Sequence, residues 1–136
     1  MNAASEGNGM RRAVGGWLVA GLMMVSGGAQ GANLSTFLRG FYTEYEVVKQ
    51  CLEQAQLPPD DAETAKAAIA KIETHYLQRD ASLNKDRLLK EAVANKDQGF
   101  KMVAATRKVD LKQYCRVSLN ELLTKAREID DNAKPQ

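Results

Sequence analysis

The sequence predicts an all-α fold: a small up-down-up-down four-helix bundle, stapled by one disulfide and preceded by an N-terminal signal peptide. Three observations carry this. Apolar residues recur at threes and fours through four stretches of the chain, and no strand-like alternation interrupts them. The breaks between those stretches are short, which makes sequential helices antiparallel neighbours. The two cysteines, Cys51 and Cys115, fall in the first and the last stretch.

Composition sets the scale. The 136 residues suffice for one domain. Aromatics are only 6%, so the core must come mainly from Leu, Val, Ile, Ala and Met. Such a core is thin, and a covalent tie matters more to it than to a larger one. A net charge of +2 gives no reason to expect nucleic acid as a partner.

The first stretch reads as an address. Arg11 and Arg12 precede an apolar run that includes Trp17, Leu18, Val19, Leu22, Met23, Met24 and Val25, after which small residues take over. A basic start, an apolar centre and a small-residue exit match a secretory signal peptide over residues 1–31. Cleavage is expected after Gly31, with Ala29 and Ala32 as alternatives. Either Met1 or Met10 serves as the start. The run is shorter than the roughly 20 apolar residues of a membrane span and carries Gly15, Gly16 and Gly21. No stable span therefore survives cleavage. Export implies an oxidising compartment, and the protein is expected to be periplasmic or secreted.

The helical domain is expected over residues 32–130. In the first helix Phe37, Phe41, Tyr45, Val48, Leu52 and Ala55 share a face, with Ser35 or Thr36 as cap. Leu57-Pro58-Pro59 stops it, because proline disfavours a helical conformation in the preceding residue. Asp60 with Glu63 reads as a capping box for the second helix, whose inner stripe is Ala65, Ala68, Ile69, Ile72 and Tyr76. Those alanines permit close helix approach. Ser82 is read as the cap of a third helix near residues 84–106, with Leu88, Leu89, Ala92, Val93, Phe100 and Val103 as its apolar side. Gly99 marks a candidate kink. Asp110 with Gln113 starts the fourth helix, with Leu111, Cys115, Ser118, Leu122, Ala126 and Ile129 inward. Residues 131–136 are polar and expected to be a disordered tail.

Cys51 lies near the end of its helix and Cys115 near the start of its own. In an up-down-up-down bundle both then sit about 7 Å below the same end, at matching heights. The absence of a C-x-x-C spacing argues for a structural bridge over a redox-active pair.

No catalytic or cofactor constellation is present. His75 is the single histidine and lacks a nucleophile and an orienting group, so it is read as a surface or cap residue whose charge suits the helix C-terminus. Neither a metal nor a cofactor is expected, for want of ligand spacing. Ser82-Leu83-Asn84-Lys85 matches S-x-x-K in letters without the companion motifs. Two features remain as a ligand or partner surface: the basic set Arg107, Lys108, Lys112 and Arg116, and the tyrosines Tyr42, Tyr45 and Tyr114, which could edge a pocket near the bridge.

The expected function is that of an exported cell-envelope helical protein, not an enzyme. It would be a protein-binding, accessory or stress/chaperone-like module acting on an unknown protein partner or by self-association. A chaperone version would loosen in acid as its carboxylates protonate. The alternative is a small-ligand carrier, binding between helices near the disulfide end.

Overall fold

A computed structural model describes residues 26–133, with side chains from residue 33 onward. Four helices and no strand occur among them: α1 (Ser26–Glu53), α2 (Asp61–Arg79), α3 (Lys85–Ala105) and α4 (Leu111–Ala133). The packed body begins at Leu34. The expected signal peptide lies outside the described residues, except that the backbone of residues 26–31 is already part of α1. α1 runs on through Gly27, Gly28 and Gly31 and starts upstream of Asn33, so Ser35 and Thr36 are interior rather than capping.

The inner face of α1 is rotated from the expected stripe. Leu38, Tyr42, Val47, Val48 and Cys51 are buried, whereas Phe37 is 55% exposed. Apolar residues flank both sides of this helix, so spacing alone leaves its rotation open; packing against the other helices selects it. The helix also stops earlier than the prolines require. The Ala55 amide donates to the Leu52 carbonyl and the Gln56 amide to the Cys51 carbonyl, with Ala55 at φ 57°. This is a Schellman ending, with alanine where glycine is the usual occupant. Ala55 is therefore exposed beyond the helix end, and the buried residue of the turn is Leu57.

In α2 the buried residues are Ala65, Ala68, Ile69, Ile72 and Tyr76, the stripe read from the sequence. The expected capping box is absent. Asp60 is itself helical (φ −60°, ψ −25°) and its side chain makes no cap bond, because Asp61 and Ala62 already donate to the Pro58 and Pro59 carbonyls. α2 and α4 pack against each other over an extended length. Ala65 and Ala68 on one and Ala126 on the other, all buried, remove the bulk that would hold them apart.

Asn84, not Ser82, caps α3, accepting from the Arg87 amide at 3.0 Å. Ser82 instead donates its amide and hydroxyl to Asp80 in the preceding turn. The Asp80 carboxyl is held below its usual range by those two bonds. α3 passes through Gly99 as one helix. At the start of α4 the Asp110 carboxylate accepts from the Lys112 amide at 3.2 Å, which supplies the Asp110 side of the expected capping box with Gln113. The helix then runs beyond Ile129 to Ala133, with Lys71 of α2 bonded to both carboxylate oxygens of Asp130 at 2.7 Å. Residues 134–136 of the expected tail lie outside the described residues.

Cys51 and Cys115 form a disulfide with a Cα–Cα distance of 5.9 Å, and both are fully buried. Removing it as Cys51→Ala with Cys115→Ala frees a span of 64 residues in the unfolded chain. The expected loss is about 4 kcal/mol, read as a lower urea midpoint. Ala55→Gly should act in the opposite direction. It relieves an L-residue of a left-handed conformation, and a gain of about 0.5–1 kcal/mol is expected in the same assay.

Candidate functional site

The residues singled out from the sequence do not converge on one pocket. Tyr42 is buried on α1, and its hydroxyl donates to Glu73 of α2 at 2.6 Å. Lys85, in the first turn of α3, reaches the same carboxylate at 3.2 Å. Burial first, and then the carboxylate beside it, push the Tyr42 phenol well above its usual range. It is a neutral donor locking three helices. Tyr45 is half-buried, with the Lys49 ammonium 5.3 Å from its ring centre. Tyr114 of α4 packs edge-on against Phe100 of α3, with centroids 5.6 Å apart. The three rings thus turn to three different neighbours.

Tyr114 also explains Gly99. A Cβ placed on Gly99 would meet the Tyr114 hydroxyl. The glycine marks a close approach of α4 to α3 rather than a kink.

The basic set behaves differently. Arg107 and Lys108 occupy the α3–α4 connection, and Lys112 and Arg116 lie in the first turns of α4; all four are exposed. None has an ion-pair partner among the described residues, whereas Arg39, Lys49, Lys71, Lys85, Arg87, Lys96 and Lys125 all do. Lys112 and Arg116 border an open hollow of about 370 Å³ whose other walls include Leu52, Leu57, Pro58 and Pro59. Lys112 and Arg116 thus come together beside the α1–α2 turn, while Arg107 and Lys108 are not among the walls of that hollow.

His75 edges an open groove with Ala67, Ala70, Thr74 and Ile129, and lies edge-on to Tyr76 at 5.2 Å. Partial burial, followed by the charges of Arg79 and Lys125, lowers its pKa. The imidazole is thus disfavoured as a cation, contrary to the expectation of a charge that complements the helix C-terminus. Among the described residues no cluster of His, Cys, Asp or Glu has the composition to hold a metal ion.

Two features escaped the sequence reading. Glu44 of α1 accepts from the hydroxyl of buried Ser118 on α4 at 3.1 Å, and its pKa is pushed up to about 7, chiefly by burial. The signal was present: Glu44 precedes Val48 by four residues and Cys51 by seven, so it shares their face. The second is the openness of α3. It buries only Leu88 and Ala92, while Val93 is 40% and Met102 62% exposed, and Leu89, Phe100 and Val103 are half-buried.

No protein-family model matches the chain, and neither a curated protein nor a solved structure matches it.

Gly99→Ala should destabilise by about 1 kcal/mol or more through overpacking, against the roughly 1 kcal/mol that alanine ordinarily gains over glycine within a helix. With Tyr114→Phe in the background the obstructing oxygen is gone, and the same substitution should become neutral or stabilising. A double-mutant cycle by urea denaturation reads the coupling directly.

Proposed function

We propose that this chain is an exported, non-enzymatic protein of the cell envelope that binds another protein through the half-open apolar side of α3. The observation that carries it is the exposure of Val93 and Met102 beside partly buried Leu89, Phe100 and Val103. An amphipathic helix that covers so little of its apolar width within its own body has surface left to bury elsewhere. Export is supported by the basic-apolar-small order of residues 1–31 and by the buried disulfide, which suits an oxidising compartment. No described helix is long and apolar enough to cross a membrane. The reading takes the helices to alternate in direction. The Cys51–Cys115 and Glu44–Ser118 pairs between α1 and α4, and the Arg39–Glu91 and Gln50–Lys96 pairs between α1 and α3, support that order.

A second reading has its own observation. The hollow with Lys112 and Arg116 over Leu52, Leu57 and Pro58 suits a small amphiphile with an anionic head. The acid-loosened chaperone finds little support. The carboxyls held below their usual range are Asp80 and Glu91, both at the surface, and the half-buried Glu44 is shifted the other way.

A photo-crosslinking residue placed at position 93 or 102, in the protein expressed in its own host, separates these readings. Protein adducts of defined mass at 93 and 102, and none from a control at Asn120, are expected. Adducts absent at both positions would remove the α3 surface from consideration, and a small-molecule adduct at position 112 would favour the carrier.

A further inference from the structure

Glu44 is a half-buried carboxyl of α1 bonded to a buried side chain of α4. It reaches from α1 to α4, where it meets the Ser118 hydroxyl and feels the Glu121 carboxylate, and it acts in turn on the Tyr114 phenol. Ser118 is 2% exposed and Glu44 half-buried, so the bond between them enters the α1–α4 seam from its edge. No cation pairs with Glu44 among the described residues, although the other surfaces of the body are well supplied with ion pairs. A protonated carboxyl is at ease here, since it can exchange a hydrogen bond with Ser118 and leaves no net charge. An ionised one keeps a single hydroxyl donor and faces Glu121 across the same seam.

We propose that the α1–α4 seam is a pH-operated joint, closed while Glu44 is protonated and loosened as it ionises. Burial is the largest cause of the raised pKa, the Ser118 bond opposes it, and Glu121 adds to it. The sign follows. A carboxyl whose pKa is raised on folding contributes stability at low pH, and loses it as pH climbs from the ordinary value near 4.5 through about 7. Above that the effect is flat. The joint therefore tightens in mild acid and eases at neutrality. One end of it is held by the buried disulfide two turns away, so loosening means local opening of α1 from α4 rather than separation of the helices. Tyr114 couples the same spot to α3, because its phenol is pushed up by burial and by Glu44 while its hydroxyl rests on Gly99.

The test compares the oxidised protein with Glu44→Gln by urea denaturation from pH 5 to pH 8. The wild-type ratio of folded to unfolded chain should fall with rising pH, by up to about tenfold per unit below pH 7. His75, with its lowered pKa, contributes the opposite slope, since the stability it gives is lost as pH falls. Glu44→Gln leaves His75 untouched, so the difference between the two proteins isolates Glu44. That difference should vanish near pH 5 and favour the glutamine variant at pH 8. Equal pH slopes in the two proteins overturn the proposal. Should the variant fail to fold, carbon NMR of the wild-type side chain decides. A Glu44 carboxyl titrating near 7 supports the joint, and one titrating in the ordinary carboxylate range overturns it. Amide protection factors then locate the opening. Loss between pH 5 and pH 8 concentrated in α1 and α4 around Glu44 and Ser118 is expected, and uniform loss in all four helices overturns it.

Discussion

The Cys51–Cys115 bond fixes the register on which the other α1–α4 contacts depend. It ties α1 near its last turn to α4 just after its first, with the two Cα atoms 5.9 Å apart. Everything along that seam is then counted from the bridge. Glu44 lies two turns before Cys51 and Ser118 one turn after Cys115, and the length of the glutamate side chain spans the remaining rise. Further along, Lys125 stands 6.0 Å from the Phe41 ring and 5.8 Å from the Tyr76 ring, so α4 reaches the place where α1 meets α2. A core this short of aromatics has few other ways to specify one alignment, since aliphatic side chains pack almost as well a turn out of register.

How much of this was legible depends on the helix. The stripe of α2 could be read residue by residue, because lysines and polar groups flank Ala65, Ala68, Ile69, Ile72 and Tyr76 on either side and leave a single apolar face. α1 could not be read so well. Phe37, Leu38, Phe41, Tyr42, Tyr45, Val47, Val48 and Leu52 cover much of its circumference, and only tertiary packing chooses Leu38 and Tyr42 over Phe37. Its end was misjudged for a related reason. Prolines announce a stop, but the Schellman turn at Ala55 places the stop earlier, and alanine gives no local warning of a left-handed conformation. The cysteine pairing survived this error because a shift of one turn at a helix end leaves both sulfurs at the same end of the body.

The candidate surfaces were legible as residues and not as places. The basic set could be seen in the chain, but its lack of partners could not. In α4 these cations also sit against the field of the helix, whose N-terminus favours negative charge. The first turn carries no acidic residue to offset them. Local helix stability therefore offers no reason for Lys112 and Arg116 to be there, while Asp61 and Glu63 at the start of α2 have one. The tyrosines are the converse. Read as a cluster near the bridge, they are three separate fastenings, the strongest of them a phenol-carboxylate-ammonium chain from α1 through α2 to α3.

That chain bears on why α3 is the open helix. Its first turn is held by Lys85 on Glu73, and its middle by Arg39 on Glu91 and by Lys96 bonded to Gln50. Beyond Lys96 its hold on the body is Phe100 against Tyr114 and the close seat of Gly99. Polar links at the edge of a helix fix its position without burying its apolar width, and exposed ion pairs add little stability. α3 is thus oriented more firmly than it is covered. Orientation without coverage is the arrangement a docking surface requires, because a partner then meets a preformed face and need not order it on binding. The same economy makes Tyr114 the sensitive contact. It joins the covered seam of α1 and α4 to the uncovered helix, so a change of charge at Glu44 is felt first at the point where α3 has the least else to hold it.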